Sequence, residues 1–597
     1  MPTTINGAEV KAVLDKARQA IPLNGLTPSP ADWRDGWIYF LMVDRFNNPN
    51  AAPASAFDQP FSGFQGGTIE GVRLKLAYLK SLGVGAIWLT PLLKNCQFLD
   101  GAPAAGTYHG YGIQDFLEID PRFVSDKANP DAELRHFVDD AHATGIYVIF
   151  DIVLNHTGDV FAYSSGSQAP FRNAPYDPIE WRDEQGKART DWPVAEAIVN
   201  PPVDATVFPD ELRRNTFFRR QGCMPDSSNV VGDFYALKQM LTANADLGNV
   251  LIRCFQYLIA AFDIDGFRID TLKYLDHDFA LRFGNAIREF ALSVGKKNFF
   301  TYGEIWGSEQ QISEYIGRNV SAAGAGDVVG VDAALDYPLF YHLPSVLKGS
   351  AAPTEVVDMY QYRKMIEQDV VSSHGDATRF FVTFLDNHDQ DARFRFVDPA
   401  QPNHFDAQTT MGVACLLALP GIPCVYYGTE QGLSGAGGNE HVREALWGKP
   451  QAFDTTNPFF ACIQRAGQVR NGHAALRYGR FYFRPISGDG SEFSISPFSP
   501  GVLSFSRVLN DEEVVVVVNA NTQQGFEGFV IVDSSLNAQG ATLRVLFSNQ
   551  DGAPAQVTAT TTGATIIHEV DGSLSNGPAR VIRVSVRPME ILIFGSQ

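Results

Sequence analysis

The chain has 597 residues, 45% of them apolar and 19% charged, the balance of a soluble globular protein with an ample core. Its 47 lysines and arginines face 67 aspartates and glutamates, a net charge of −20, which argues against nucleic acid or any other polyanion as partner. A neutral ligand is the easier fit, and 43 Phe with 20 Tyr supply packing first and flat stacking surfaces second.

The opening "MPTTINGAEVKAVLDKARQA" lacks the basic and continuous apolar regions of a leader and reads as a short amphipathic helix, which makes a cytoplasmic location the expectation. The longest apolar runs are short and broken by proline, so no membrane span is expected. From Trp37 onward, β-rich runs alternate with helical patterns. The predicted strands are "IYFLMV" (38–43), "AIWLT" (86–90), "YVIFDIVLN" (147–155) and "GFRID" (266–270). They continue with "FFTYGEI" (299–305), "VGVDAALDY" (329–337), "FVTFLDN" (381–387) and "CVYYGTE" (424–430). Amphipathic segments over 72–83 and 131–145 each close on a glycine just before the next strand, a helix stop signal.

Eight strands with helical crossovers predict the α/β class and a (β/α)₈ TIM barrel. It would span 1–158 and 236–473, with an N-terminal helical extension. Roughly a hundred residues separate the third and fourth strands, far more than a βα connection needs. Residues 159–235 are therefore expected to form an inserted subdomain. Beyond "PFFACIQRAGQVRNG" (458–472) the pattern turns to alternating strands, from "GRFYFRP" to "EILIFG", which predicts a C-terminal antiparallel β-sandwich over 474–597. Six widely spaced cysteines read as reduced; Cys96 and Cys223, both in loop-like sequence, leave one bridge open.

In such a barrel the strand C-termini form the functional face. The third predicted strand ends with Asp151, Asn155 and His156, the fourth with Arg268 and Asp270, the fifth with Glu304, the seventh with Asn387, His388 and Asp389. A lone aspartate at a strand end is more often a cap, but four such clusters in phase with one barrel are not explained that way. Asp270 and Glu304 lie 34 residues apart, about one βα repeat. Asp389 brings a third carboxylate to the same mouth. Paired carboxylates at close range are what retaining glycoside hydrolysis needs, one to attack the anomeric carbon and one to protonate the leaving oxygen. Arg268, two residues before Asp270 and on the same side of the strand, is expected to hold Asp270 ionised. Glu304, in a more apolar setting beside Trp306, is suited to carry the proton.

With "DIVLNH", "GFRIDTLKY", "GEIW" and "FLDNHD" in that order, and "FQGGTIEGVRLKLAYLKSLGVGAIWLTP" and "YHGYGIQDFLEIDPRF" before or around them, the chain resembles the alpha-amylase superfamily, glycoside hydrolase family 13, over about 37–432. The resemblance implies Asp270 as nucleophile, Glu304 as general acid/base, and Asp389 as a third carboxylate gripping sugar hydroxyls. It implies that His156 and His388 bind the sugar at the cleavage point, that Tyr111 stacks beneath its ring, and that His109 and Asp151 support them. Lys273 would lie on the leaving-group side, and Thr271 after the nucleophile looks like α-1,4-acting relatives. The implied substrate is a neutral α-glucan, with water or a sugar hydroxyl as acceptor, so that a hydrolase and a glucanotransferase are both open. A sucrose- or trehalose-active relative and a non-catalytic scaffold are further alternatives, the last disfavoured because all three carboxylates are kept.

One departure concerns calcium. Many relatives hold it with the asparagine of the third-strand motif, here Asn155, and an aspartate of a "LPDLN"-like stretch. Here that stretch reads "LKQMLT" (237–242), and Gln239 takes the aspartate position. A neutral amide is a weaker ligand for a hard cation, so no metal ligands are assigned and no cofactor is required, with calcium left open but not favoured. Tyr274 stands where many endo-amylases have histidine, and "GEIW" is similar to cyclomaltodextrinase-like members. Oligomeric state is not legible in the sequence.

Overall fold

Eight short parallel strands close on themselves in the computed structural model, which describes residues 2–19, 25–226, 230–316, 330–366 and 380–596. They are β1 (Ile38–Leu41), β2 (Ala86–Leu89), β3 (Tyr147–Val153), β4 (Gly266–Asp270), β5 (Phe300–Gly303), β6 (Ala333–Leu335), β7 (Phe381–Thr383) and β8 (Ile422–Tyr426). Each pairs in parallel with its neighbours in chain order, and β1 pairs with β8 to close the ring. Burial on both faces is why these segments read as continuous apolar runs. The strands are shorter than their apolar runs: Val43 already belongs to a helical turn, Val43–Phe46, and the predicted start of the sixth strand at Val329 lies outside the described residues.

Helix α1 (Ala8–Gln19) buries Val10, Leu14 and Ala17, one face at helical spacing. The expected helix over 72–83 is split into Ile69–Arg73 and α2 (Leu76–Leu82), while α3 (Pro130–Thr144) is continuous. Gly83 and Gly145 end α2 and α3 in the left-handed region, φ 99° and 74°, a conformation that glycine adopts without steric cost.

After β3 the chain leaves the barrel. His156–Thr157 pairs antiparallel with Lys238–Gln239, so the excursion is tied at its base. Inside it, Phe161–Tyr163 pairs with Ile179–Trp181, and Phe161, Trp181 and Phe218 meet edge-on with ring centroids 5.4 Å apart. Apart from such short pieces, the described part of the excursion is irregular backbone around an aromatic core.

The tail, from Arg480–Phe483 to Glu590–Ser596, is one continuous nine-stranded sheet folded over its own core, with a three-stranded sheet at its side. Val515, Val517, Leu543, Ile582, Leu592 and Phe594 fill the inner core. Val514, Val516 and Val518, pointing the other way, belong to the same apolar core as the barrel. "EEVVVVV" is thus buried on both faces, which explains a valine run with no polar alternation. All six cysteines are free, Cys96 and Cys223 included. No described helix is long and apolar enough to cross a membrane.

Two buried arginines fasten the tail to the base of the barrel. In the helix Pro458–Gly472, Arg470 donates to the carbonyls of Leu417, Leu476, Arg34 and Gly421 at 2.9–3.2 Å, and Arg507 donates to Ala418, Leu476 and Gly479. Arg470→Met keeps the stem and removes the donors. Because hydrogen bonds from a charged group are the strong ones, it should cost about 2–4 kcal/mol, read as an earlier urea transition with activity of the folded fraction retained.

Candidate active site

At the mouth of the barrel one guanidinium organises the charges. Arg268 in β4 is 1% exposed and donates to Asp151 Oδ1 at 2.9 Å, to Asp270 Oδ1 at 2.8 Å and lies 3.1 Å from Glu304 Oε2. The register of the sheet accounts for this: Arg268 sits opposite Asp151 in β3 and Tyr302 in β5. Its side chain lies over the ring of Trp88, 5.2 Å from the centroid, a favourable seat for a desolvated cation. Trp88 in turn stacks on Phe40 at 3.6 Å and meets Tyr302 edge-on. An aromatic floor therefore underlies the charged layer.

A second branch runs outward from Asp151. Its Oδ2 accepts from Trp88 Nε1 at 3.0 Å and from the Tyr111 hydroxyl at 2.9 Å. The same hydroxyl is 2.9 Å from His388 Nε2, and the two rings stack at 5.6 Å. His388 Nε2 is 3.3 Å from Asp389 Oδ2. Asp389 is also held by Arg443, at 3.0 Å, and Arg443 further donates to the His388 carbonyl and to the Tyr108 hydroxyl. His109 accepts the Tyr111 N–H at Nδ1. His156 packs against Phe234, whose ring meets Tyr274. Lys273 donates to the Trp306 carbonyl at 2.9 Å.

The backbone is strained where the chemistry would be. Thr271, directly after Asp270, has φ 50°, unfavourable for a β-branched residue. That turn aims its N–H at Glu304 Oε2, 3.2 Å away. Glu304 itself lies one residue beyond β5, and Asn387 accepts the Asp389 N–H four residues beyond β7. The last strand residues carry Asp151, Arg268 and Asp270, and the first irregular residues beyond the strands carry Glu304 and Asp389.

Two expectations need correction. Arg268 does not serve Asp270 alone, since its charge is divided among three carboxylates. Burial is the largest influence on Asp270 and raises its proton affinity well above the usual carboxylate range; Glu304, Asp151 and Asp389 add to this and Arg268 opposes it. Nor is the setting of Glu304 apolar. Besides Arg268 and the Thr271 N–H, the Tyr337 hydroxyl donates to its Oε1 at 3.2 Å, while the half-exposed Trp306 turns away to stack on Tyr337 at 5.3 Å. Tyr337, Arg443, Tyr108 and Trp88 are site residues that sequence reasoning missed. Trp88 had a signal, an aromatic inside a strand of the same barrel layer; Arg443 had none.

The residues at the position of the family calcium do not fit a cation. Asn155 Oδ1, where a metal would bind, accepts from the Gln239 amide nitrogen at 3.2 Å. That nitrogen also donates to the Val230 carbonyl, while Gln239 Oε1 accepts the Gly232 N–H. A donor stands where the carboxylate ligand would be. Among the described residues no group of three His, Cys, Asp or Glu side chains could hold a metal.

Comparison with known proteins agrees with this geometry. The family model for the alpha amylase catalytic domain matches residues 40–452. An alpha-amylase from Streptomyces lividans is 27% identical over 558 residues, covering 85% of this chain and 56% of the relative. The chain thus spans little more than half the length of that relative. A cyclomaltodextrin glucanotransferase from Klebsiella oxytoca is 26% identical over 534 residues, covering 82% of this chain and 72% of the relative. The crystal structure of a Geobacillus thermoleovorans alpha-amylase complexed with acarbose superimposes with a TM-score of 0.64 at 23% identity, over 95% of this chain and 99% of the other, a likeness of fold.

Burial lowers the His156 imidazole from 6.5 to about 4. Its unfolded form gains a proton below 6.5 while the folded form stays neutral, so stability is complete above that pH and is lost as the pH falls toward 4. His156→Gln removes this term: the loss of unfolding free energy between pH 7 and pH 4.5 should shrink by about 2–3 kcal/mol, measured by urea titrations at the two pH values. An unchanged difference would show that His156 is not buried neutral.

Proposed function

The chain belongs to the alpha-amylase family, and from that premise we propose that it is a retaining enzyme of neutral α-glucans that cleaves α-1,4-glucosidic bonds. The observation that carries the reading is the common grip of Arg268 on Asp270 and Glu304, at 2.8 and 3.1 Å. It brings two carboxylates to one point, the requirement of a double displacement.

In the first step an Asp270 oxygen attacks the anomeric carbon as the glycosidic C–O bond breaks, and Glu304 gives its proton to the departing oxygen. The product of this step is a glycosyl ester on Asp270. In the second, Glu304 takes a proton from the acceptor hydroxyl, whose oxygen displaces Asp270. Because three carboxylates share one guanidinium, a proton retained among them relieves their mutual repulsion, and a shared proton is what the first step consumes. Tyr111 offers its ring and His388 its imidazole, the two stacked at 5.6 Å. Burial and Arg443 hold His388 well below its usual range, so it meets a sugar hydroxyl as a neutral donor or acceptor. Asp389, oriented by Arg443, would accept hydroxyl hydrogens. Lys273, joined to the Trp306 carbonyl two residues after Glu304, would serve the leaving-group side. No cofactor enters these steps, and the Gln239–Asn155 amide contact supports a reaction without calcium.

Water as acceptor makes a hydrolase and a sugar hydroxyl makes a glucanotransferase. Maltohexaose and soluble starch, with reducing ends and product lengths followed together, separate them. One new reducing end per bond broken is the expected result; redistributed or cyclic products without that gain identify a transferase with the same catalytic pair. Asp270→Asn should lower turnover by about 10⁴-fold or more with the fold intact by circular dichroism. Substantial residual turnover would overturn the assignment of the nucleophile.

A further inference from the structure

Beside Gln239, and pointing to the opposite face of the same two-residue strand, Lys238 is completely buried at the base of the excursion. Lysine is rarely so placed without compensation. Here its ammonium lies 3.4 Å from Asp159 Oδ1 and 3.7 Å from Asp233 Oδ2, and it donates to the Ser167 carbonyl. The rings of Tyr163 and Phe161 close the remaining sides at 4.8 and 5.3 Å. Both carboxylates are buried, at 8% and 1% exposure. Each has a further partner: Arg182 reaches Asp159 at 3.1 Å, and Tyr163 and the Gln239 N–H reach Asp233 at 2.6 and 2.9 Å.

Two carboxylates and a carbonyl oxygen converging on one buried point are the ligands a hard cation would take. An ammonium fills the point instead, hydrogen-bonded to the Ser167 carbonyl and within ion-pair distance of both carboxylates. Its backbone neighbour, Gln239, is the residue whose amide stands against Asn155 at the family's metal position. We propose that Lys238 is a built-in cation: its ammonium, together with the Gln239 amide, holds the base of the excursion to the barrel, and no divalent metal is needed there. The strand that carries both residues pairs directly with His156–Thr157, so the tie lies immediately behind a residue of the candidate site. The inference goes beyond the proposed reaction and is the same whether the acceptor is water or a sugar.

Thermal unfolding of the full chain, purified with and without EDTA and then titrated with calcium chloride, tests it. The wild-type midpoint should be the same in all three conditions, with no calcium binding heat by calorimetry. Lys238→Met leaves Asp159 and Asp233 facing each other without the ammonium. It should unfold several degrees earlier and recover part of the loss when calcium is added, a response that a lysine of merely packing value would not give. A wild-type midpoint that falls in EDTA, or a Lys238→Met protein that unfolds at the wild-type temperature, overturns the proposal. Should Lys238→Met fail to fold, Lys238→Arg keeps the charge and should unfold without any dependence on calcium; calcium dependence in that variant overturns the proposal equally. The glucan assay is independent of these results, so a failed Lys238 inference and a failed reading of the active site are distinguishable.

Discussion

The guanidinium of Arg268 is the constraint on which the site depends. A fully buried cation is costly to desolvate, and a buried ion pair is rarely the best source of stability. Here it lies on the face of Trp88 and within reach of Asp151, Asp270 and Glu304. What it provides is arrangement. Without it three carboxylates would have to share a small dry volume, and each would take up protons or draw away. The rest follows outward: Asp151 fixes the Tyr111 hydroxyl, that hydroxyl meets His388, and Asp389 is caught between His388 and Arg443. Two arginines thus frame the mouth, one beneath the reacting carboxylates and one behind the third.

The division of labour between strands and the residues just beyond them has an energetic logic. Closed parallel pairing makes β3, β4 and β5 rigid and sets Arg268 opposite Asp151 and Tyr302. Asp270 is the last residue of its ladder, and Glu304, Asn387 and Asp389 lie past the ends of theirs, beyond the stretch where alternate side chains are committed to packing. Thr271 turns the chain at the first opportunity, and its left-handed backbone costs on the order of 1 kcal/mol. In return its N–H reaches Glu304, so that the residue after one carboxylate positions the other.

Much of this was legible in the sequence for reasons that can be named. Strands buried on both faces leave apolar runs, and carboxylates at their ends recur in phase with the βα repeat, so Asp151, Asp270, Glu304 and Asp389 could be placed on one rim. Residues held by irregular backbone could not. Arg443 lies 55 positions after His388, in a segment with no period, and nothing local distinguishes it from a solvated arginine. Tyr337 opens a helix after β6 and looks like an ordinary helix-start aromatic. The setting of Glu304 was misread because alternation along the chain stops at Gly303, the end of β5; past it, Trp306 is free to turn toward Tyr337. The three-stranded sheet in the tail escaped notice because strands of two to four residues are too short to show a period of two.

The valine strand Glu512–Asn519 serves two cores at once, its odd and even members facing different interiors. That arrangement makes the boundary near residue 474 a poor place to cut. A barrel separated there would bare the patch that Val514, Val516 and Val518 cover, and a separated tail would bare the valines themselves. Gene fusions and exchanges that swap the tail of one relative for another would have to carry over both halves of this surface together. Barrel and tail are consecutive in the chain yet shaped to each other's apolar contour, and in that sense they form a single structural unit.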